Sequence, residues 1–537
     1  MNVQKNSINL AMQGAVILTI AGIITKVLSA AYRVPYQNIV GDIGFYIYQQ
    51  VYPFYGMSVI LATTGFPVMI SKVMMDYGYG KSLKIRSKIL AVSFIYLFIS
   101  GLILFLCLYL FSNHIAIFMG DEQLTPLIRI ASLAFIIIPF VSIFRGYYQS
   151  QQIMEPTATS QVVEQGVRVS IILLSSYYLV RAGYNQYEVG FGALIGSVIG
   201  SVAAFVILLV LWRKKGSQSK IIWNMTAPIS TGKILLSLVT YSWTIAFSSL
   251  LLIFIQLIDA LNLYALLVDG GMDKMVAKET KGIYDRGQPL IQLGTVVATS
   301  LALSLVPLIA RAKISNRIQL IREKINLSIK LCLVVSAGAS AGLIAVMKPA
   351  NVMLFTDNKG SLVLMVLSIS ILFTSLCLTV FSILQGLGFV FIPAFAVLVG
   401  VAGKYALNLS LIPKYGEIGA GISTVISYCI IALVVLVYLA RKGFPFRDMK
   451  SIGKIGISIV VMLCFVIGLL NGAELLFDLE NRLHATYTTF IAIISGGGIY
   501  LWSIFKTNVF TKEELQYIPF IKKFLKEEKR VIHGKGN

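Results

Sequence analysis

Long apolar runs alternate with short polar segments along the whole chain. Each run holds about 20 hydrophobic residues, enough to cross a bilayer as a helix. About fourteen runs are found, beginning near residues 10, 43, 86, 125, 157, 188, 233, 285, 320, 360, 391, 417, 453 and 485. The pattern predicts an all-α polytopic membrane protein with about 14 transmembrane helices.

Lys and Arg are concentrated in every second loop, at residues 72–88, 213–220, 311–324 and 441–450. The alternating loops are poor in cations or balanced by acids. Because short cation-rich loops stay on the cytoplasmic side, we expect a multi-pass protein of the cytoplasmic membrane with both termini inside. The formal net charge of +22 is spread over these loops, which favours anionic lipid over nucleic acid as a partner.

The composition leaves little for catalysis. Only 13% of the residues are charged and three are histidines. The sequence contains no nucleotide-binding loop, nucleophile–base pair or metal-ligand cluster. We therefore expect a protein that is not an enzyme and has no catalytic residue, metal or cofactor. Transport would be driven by the membrane potential or an ion gradient.

An internal duplication divides the chain into two lobes. The matched segments are Glu188–Gly192 with Glu417–Gly421, Gly65–Ile70 with Leu305–Ala310, Phe144–Gly146 with Leu384–Gly386, and Pro156 with Pro393. Their offsets lie between 229 and 240 residues. Such repeats are typical of transporters whose lobes rock around a central site. We predict an N-terminal lobe (residues 1–220), a C-terminal lobe (221–445), two additional spans (446–506) and a cytoplasmic amphipathic tail (507–537).

The tail has the pattern of a surface helix. Thr511 and Glu514 form a capping-box pattern, and Leu515, Ile518, Ile521 and Leu525 recur at helical spacing among lysines. It is expected to lie on the inner leaflet or simply to solubilise the chain end.

Proline interrupts the corresponding span of each lobe. Pro53 and Pro67 lie in span two, and Pro289 and Pro307 lie in span eight. A freed backbone carbonyl is tolerated in a bilayer only against protein or a wet cavity. These helix kinks indicate a pathway between the lobes, or static bends.

Charged residues within the predicted spans are few and predominantly cationic. They are Lys26, Arg33, Glu164, Arg168, Asp259, Asp285, Arg286 and Lys404. Such residues normally face a cavity or a partner. Glu164 and Arg168, four apart on one helix, are expected either to neutralise each other or to face the cavity. Arg33, Asp259 and Arg286 reach the cavity or snorkel to the outer interface.

Lys26 and Lys404 lie deep in their spans, without enough acids to balance them. With Arg33 and Arg286 they predict a cavity for an anion such as a phosphate, because arginine can donate two hydrogen bonds to one phosphate. Asp285 is expected to orient or gate Arg286, and Asp259, Glu164 and Arg168 to act in gating or charge pairing.

Three stretches resemble the multidrug/oligosaccharidyl-lipid/polysaccharide exporter superfamily, and within it the polysaccharide transporter, stage V sporulation protein B and MurJ-like lipid II flippase branch. They are Thr25–Arg33, Tyr284–Pro289 followed by Leu305–Pro307, and Gly403–Tyr428. The resemblance covers essentially the whole chain and implies two six-helix lobes around a central cavity.

The resemblance also implies a binding role for two cations. The flippase arginines that line the cavity and bind the substrate diphosphate fall on Lys26 and Arg286. The first cation is thus Lys in this chain, the family's second first-helix Arg falls at Tyr32, next to Arg33, and its second-helix Arg falls near Tyr52 and Pro53, which carry no charge.

The expected function is translocation of an undecaprenyl-pyrophosphate-linked saccharide, lipid II in the first place, by alternating access of a monomer. The alternatives within the fold are export of a teichoic, capsular or spore-cortex precursor and cation-coupled multidrug export. A membrane glycosyl- or phosphotransferase would need catalytic loops that the sequence lacks. A scaffold that docks cell-wall assembly proteins through its cytoplasmic loops is the remaining alternative.

Overall fold

The protein is all-α in the part of the chain that the computed structural model describes, namely residues 17, 18, 20–78, 82–214 and 227–516. No strand occurs among these residues. Ten helical stretches within them are long and apolar enough to cross a membrane. The fold class predicted from the sequence is confirmed, and the count of fourteen spans stays a prediction.

The helices of the first half begin where the apolar runs begin. They are α1 (20–31), α2 (Arg33–Ile60), α3 (Phe66–Gly78), α4 (Leu83–Leu110), α5 (Ser112–Phe118), α6 (Thr125–Ser150), α7 (Glu155–Arg181), α8 (Gln186–Lys214), α9 (Thr231–Tyr241) and α10 (Phe247–Ser249). A π-helical turn at Leu61–Gly65 joins α2 to α3, and another at Ser242–Ala246 joins α9 to α10. The start predicted near residue 10 lies outside the described residues.

The second half continues in the same way. Its helices are α11 (Leu251–Asp269), α12 (Lys274–Asp285), α13 (Gly287–Leu303), α14 (Val306–Ile314), α15 (Ile318–Ala345), α16 (Met347–Phe355), α17 (Ser361–Gly386), α18 (Phe391–Arg441), α19 (Met449–Leu476), α20 (Arg482–Lys506) and α21 (Lys512–Leu515). The predicted span starts near 233, 285, 320, 360, 391, 453 and 485 are confirmed within a few residues.

Helix α2 folds back at Gly41. This residue has φ 71° and ψ −178°, which breaks the helical geometry. The hydroxyls of Tyr32 and Tyr48 lie 2.9 Å apart, although 16 residues of unbroken helix would separate them by about 24 Å. Only glycine adopts this positive φ without strain. The boundary predicted between spans one and two, near residue 43, is therefore confirmed.

Helix α18 folds back in the same manner at Gly416, where φ is 57° and ψ is −137°. Lys404 Nζ and Thr424 Oγ1 are 2.6 Å apart across this break, whereas 20 residues of continuous helix would place them about 30 Å apart. The predicted start of span twelve at residue 417 is confirmed. Each fold-back brings polar residues from two successive spans into contact.

Two compact units divide the chain. Unit 1 comprises residues 1–293 and 390–427 and contains both fold-backs. One of its apolar cores packs α3, α4, α6 and α8 around side chains that include Ile70, Ile89 and Phe135. Here Gly146 of α6 lies against Ile70 so closely that a Cβ would collide with it. The predicted boundaries between lobes, at residues 220 and 445, stay predictions.

Unit 2 comprises residues 294–389 and 428–537. Its core packs α15, α16, α19 and α20 around residues such as Val334, Met462 and Tyr500. The Tyr500 hydroxyl donates to the Val334 carbonyl at 2.6 Å. Many apolar side chains of α19 and α20 stay exposed, as expected for helices that face lipid.

The beginning of the tail is fixed to unit 2. The predicted capping box at Thr511 and Glu514 is confirmed, since both of its hydrogen bonds are present. Lys330 Nζ lies 2.9 Å from Glu514 Oε1 and also pairs with Asp448, which caps α19. The positions Ile518, Ile521 and Leu525, on which the tail-helix prediction depends, lie outside the described residues.

Candidate functional site

The charged side chains predicted for the site all lie in unit 1, and most of them are paired. The ion pairs found there are Arg286–Asp42, Lys281–Asp285, Lys404–Asp259, Arg145–Glu164 and Lys278–Asp121. Two cations of the predicted set, Arg33 and Arg168, are buried without a carboxylate partner in the described part of the chain. The site is therefore divided into cations that form ion pairs and cations that do not.

Arg286 pairs with Asp42 and not with its neighbour Asp285. Its Nη2 donates to both carboxylate oxygens of Asp42, at 2.6 and 2.8 Å, and its Nε donates to one of them at 3.0 Å. Asp285 instead binds Lys281, one helical turn earlier, with both oxygens 2.6 Å from Nζ. Successive residues of a helix point in different directions, whereas residues four apart share a face. The expectation that Asp285 orients Arg286 directly is corrected.

Helix α12 makes two close contacts with segments of the predicted N-terminal lobe. Gly282 lies directly against the carbonyl oxygen of Asp42, where any Cβ would collide. Nearby, Lys278 Nζ lies 3.0 Å from Asp121 Oδ2, which also accepts from the Tyr187 hydroxyl at 2.6 Å. Glycine at position 282 therefore allows the close approach that brings Arg286 to Asp42.

Glu164 pairs across helices. Its carboxylate lies 2.8 Å from Arg145 Nη2, and the same guanidinium donates to Ser160 Oγ at 2.9 Å and to the Ala62 carbonyl at 3.0 Å. Arg145 is fully buried. The alternative in which Glu164 neutralises Arg168 along one helix is corrected, because the Glu164 carboxylate pairs with Arg145 of α6 instead.

Arg168 lies among tyrosines. Its Nη2 donates to the Tyr32 hydroxyl at 2.9 Å, and its Cζ lies 5.2 Å from the Tyr55 ring centroid and 5.7 Å from that of Tyr52. The Arg33 guanidinium contacts the same Tyr52 ring, with Cζ 4.4 Å from the centroid. The two guanidiniums thus both lie near the Tyr52 ring, an arrangement that stabilises cations but does not neutralise them.

Several buried polar atoms of these arginines and of helix α2 have no hydrogen-bond partner among the described residues. They are Nε and Nη1 of Arg33, Nε of Arg168, the Tyr36 hydroxyl and both amide atoms of Gln50. Lys26, two helical turns before Arg33, has an exposed side chain with no polar partner in that same part of the chain. Unused donors of this kind are what an anionic ligand requires.

Lys404 is committed to a buried network in the other fold-back. Its Nζ lies 2.7 Å from Asp259 Oδ1 and 2.8 Å from Ser423 Oγ, and Lys404 is completely buried. The Tyr284 hydroxyl donates to the second oxygen of Asp259 at 2.7 Å. Asp259 therefore lies inside the bundle, and the expectation that it snorkels to the outer interface is corrected.

The four prolines occupy positions where a helix can be interrupted. Pro67, Pro289 and Pro307 each stand within the first three residues of a helix, namely α3, α13 and α14, where proline is well tolerated because its fixed φ suits the first turn. Pro53 lies inside α2. The pathway that these prolines indicate stays a prediction.

Sequence analysis missed Asp42, Arg145 and Lys281. Asp42 and Lys281 were placed in loops because the predicted spans began at residues 43 and 285. Arg145 was treated only as part of a repeated segment. A usable signal was present for Asp42, a lone acid directly after the break-forming Gly41, and for Arg145, a cation within the apolar run of α6. Lys281 lies in the polar helix α12 among other charged residues and gave no such signal.

The matching family model decides the family. It is described as "Polysaccharide biosynthesis protein" and matches residues 11–313, more than half of the chain. The chain belongs to this family. It lies in the multidrug/oligosaccharidyl-lipid/polysaccharide exporter superfamily, in the branch that holds the MurJ-like flippases, and is a membrane transport protein rather than an enzyme.

Individual relatives match this chain over nearly its full length. The uncharacterized membrane protein YabM of Bacillus subtilis is 46% identical over 96% of this chain and 96% of its own. Lipid II flippase MurJ of Bacillus subtilis is 26% identical over 93% of this chain and 96% of its own. A structure of lipid II flippase MurJ in an inward closed conformation matches with TM-score 0.67 at 17% identity, covering 91% of this chain and 98% of that one. The last match shows a shared fold.

Proposed function

We propose that this protein is a flippase that moves an undecaprenyl-pyrophosphate-linked saccharide across the cytoplasmic membrane, with lipid II as the favoured cargo. The observation that carries the proposal is the pair Arg33 and Arg168, two buried guanidiniums with unused N–H groups and no carboxylate partner among the described residues. Family membership supports the transport of a lipid-linked saccharide.

A diphosphate suits this pair chemically. An uncompensated charge within a protein costs several kcal/mol, so two such cations beside one aromatic ring favour an anionic ligand. Guanidinium forks match phosphate oxygens, and hydroxyls such as that of Tyr36 add neutral donors. Lys26 is exposed and would meet the diphosphate before the buried arginines do.

Arg286 and Lys404 have different roles in this proposal. Lys404 is neutralised by Asp259 and does not bind the cargo. Arg286 is held by Asp42, so it becomes available to an anion only if that carboxylate is displaced. The predicted anion site is thereby retained at Lys26 and Arg33, extended to Arg168, and made conditional at Arg286.

Alternating access requires the α12 contacts to separate. In our proposal Asp42 and Asp121 lie toward the outer side, and their bonds to Arg286 and Lys278 close that side. Cargo binding from the inside neutralises the arginines, after which the closed side opens and the headgroup leaves. The empty cationic site is returned inward by the inside-negative potential, without a cofactor.

Complementation tests this function. A bacterial strain depleted of its own lipid II flippase would receive the wild-type chain or one of the variants Lys26→Ala, Arg33→Ala and Arg168→Ala at matched membrane abundance. We expect growth with wild type and loss of growth with each variant. Arg181→Ala is the matched control, because Arg181 lies exposed at the end of the same helix as Arg168, and it should support growth.

Each other outcome has a defined meaning. If a well-expressed wild type does not restore growth, we would assign the cargo to a teichoic, capsular or spore-cortex precursor. The same variants, once shown to be thermally stable, would then be assayed for synthesis of that polymer. If all three variants support growth, the anion site is wrong. Drug resistance conferred by the wild type without complementation would favour multidrug export.

Orientation and partners are part of the same proposal. We place both termini in the cytoplasm and regard the chain as a monomer in contact with membrane lipids and, through its cytoplasmic loops, with cell-wall assembly proteins. Labelling of single cysteines at Lys313 and Glu122, both of which are exposed, by an impermeant maleimide in intact cells tests the orientation. The label should reach position 122 and not position 313.

A further inference from the structure

The ammonium of Lys404 is enclosed by oxygen atoms. Four oxygens surround Nζ: Oδ1 of Asp259 at 2.7 Å, the carbonyl oxygen of Ala420 at 3.0 Å, Oγ of Ser423 at 2.8 Å and Oγ1 of Thr424 at 2.6 Å. Lys404 and Thr424 are at most 1% exposed. We call this set the oxygen cage.

The oxygen cage is positioned by groups other than the lysine. Asn408 Nδ2 donates to Asp259 Oδ1 at 3.0 Å, and the Tyr284 hydroxyl holds Oδ2 at 2.7 Å. Tyr284 also lies 3.0 Å from the hydroxyl of Thr424. The fold-back at Gly416 brings residue 404 beside residues 420–424. The cage would therefore keep its form if the lysine side chain were removed.

The donor set is that of a hard cation site. Carboxylate, carbonyl and hydroxyl oxygens are the ligands that metal ions of the alkali and alkaline-earth type prefer. One carboxylate balances one positive charge, so the cage matches a monovalent cation. A divalent ion would leave an uncompensated charge among apolar helices.

We propose that the oxygen cage is an alkali-cation site that the chain fills permanently with its own ammonium. The tethered cation cannot dissociate, so the wild-type protein takes up neither Na⁺ nor K⁺ here. A gradient of Na⁺ or K⁺ therefore cannot be coupled to transport through this site. Removal of the ammonium converts the cage into a site for a free monovalent cation.

The proposal is independent of the cargo, because it is tested by cation binding alone. The purified full-length chain in detergent would be unfolded thermally in NaCl, KCl or LiCl, with N-methyl-D-glucamine chloride at the same ionic strength as reference. The wild type should unfold at the same temperature in all four salts. Lys404→Ala should unfold earlier in the reference salt and regain stability saturably with K⁺ or Na⁺.

A double variant identifies the ligand. Lys404→Ala with Asp259→Asn removes both charges, and its unfolding temperature should not respond to alkali ions. A response in the double variant equal to that of Lys404→Ala would overturn the assignment to this cage.

The wild-type measurement can overturn the proposal even if Lys404→Ala fails to fold. A saturable rise of the wild-type unfolding temperature in Na⁺ or K⁺ would overturn the proposal, as would a folded Lys404→Ala that ignores all three ions. Lys404→Ser is a second variant for this test, because the short serine side chain removes the ammonium and leaves room for a free cation among the cage oxygens. Failure of the flippase proposal changes none of these results.

Discussion

Arg286 and Asp42 form a bidentate ion pair between residues 244 positions apart in sequence. The Arg286 side chain is fully buried and that of Asp42 is 11% exposed. The pair joins the start of predicted span eight to the fold-back between spans one and two. It therefore ties together segments that the internal duplication assigns to different lobes.

Removal of either partner should be costly. Asp42→Ala leaves a buried guanidinium without its carboxylate, and we expect Asp42→Ala and Arg286→Ala each to lower the free energy of unfolding by about 3–5 kcal/mol. The double variant should lose much less than the sum, since neither charge is then left alone. Thermal unfolding of the purified chains measures this, and strictly additive losses would contradict the pairing.

The close approach at Gly282 makes a separate prediction. Gly282→Ala places a methyl group against the Asp42 carbonyl oxygen, and we expect a loss of about 1–3 kcal/mol from overpacking. Gly166→Ala in α7 is the control, because nothing lies within 4 Å of its added Cβ. That control should be neutral or gain up to about 1 kcal/mol from helix propensity.

The partner of Glu164 can be tested by comparing two double-mutant cycles. A cycle between Glu164→Gln and Arg145→Met should give a coupling energy of about 2 kcal/mol, because the two groups form a buried ion pair. The cycle between Glu164→Gln and Arg168→Met should give a smaller coupling. A larger coupling energy between Glu164 and Arg168 than between Glu164 and Arg145 would instead support pairing along a single helix.

Acid should weaken the ion pairs that Lys330 forms with Asp448 and Glu514 at the start of the tail. Burial alone would raise the pKa of Asp448, but the hydrogen bond and charge of Lys330 outweigh it and lower that pKa below its ordinary value. A lowered pKa means that the carboxylate stabilises the folded state above about pH 4 and loses this effect as pH falls through the lower, folded-state pKa.

The wild type should therefore lose stability below about pH 4 more steeply than Asp448→Asn, which has no carboxylate to protonate. The difference is expected to be under about 1 kcal/mol, since Asp448 is partly exposed. Thermal unfolding from pH 3 to 7 measures it. Parallel curves for the two proteins would show that Asp448 does not contribute.

The helices could be predicted from the sequence because a bilayer demands long apolar runs, and their ends are punctuated by polar residues. Which acidic residue pairs with which cation could not be predicted in the same way. Asp285 is the neighbour of Arg286 in sequence, yet the pair forms with Asp42 because α12 approaches the fold-back at Gly282. Such contacts depend on how helices pack, which local spacing does not encode.

The candidate site shows the same division. The excess of cations was visible in the sequence, and it remains at Arg33 and Arg168. The depth of Lys404 within its span was also visible, but depth alone does not separate a cation that awaits a ligand from one already satisfied. The distinction came from Asp259, which lies 145 positions earlier in the sequence and is paired with Lys404, and from the hydroxyls of Ser423 and Thr424 across the fold-back.

The single-residue breaks at Gly41 and Gly416 leave no loop between the helices that they separate. Topology maps are often built by inserting reporter domains or protease sites into loops, and neither break offers a place for one. An insertion there would pull apart Tyr32 from Tyr48, or Lys404 from Thr424, and would report on a damaged protein. The membrane orientation of this chain is better mapped by small chemical labels on single side chains than by fusions.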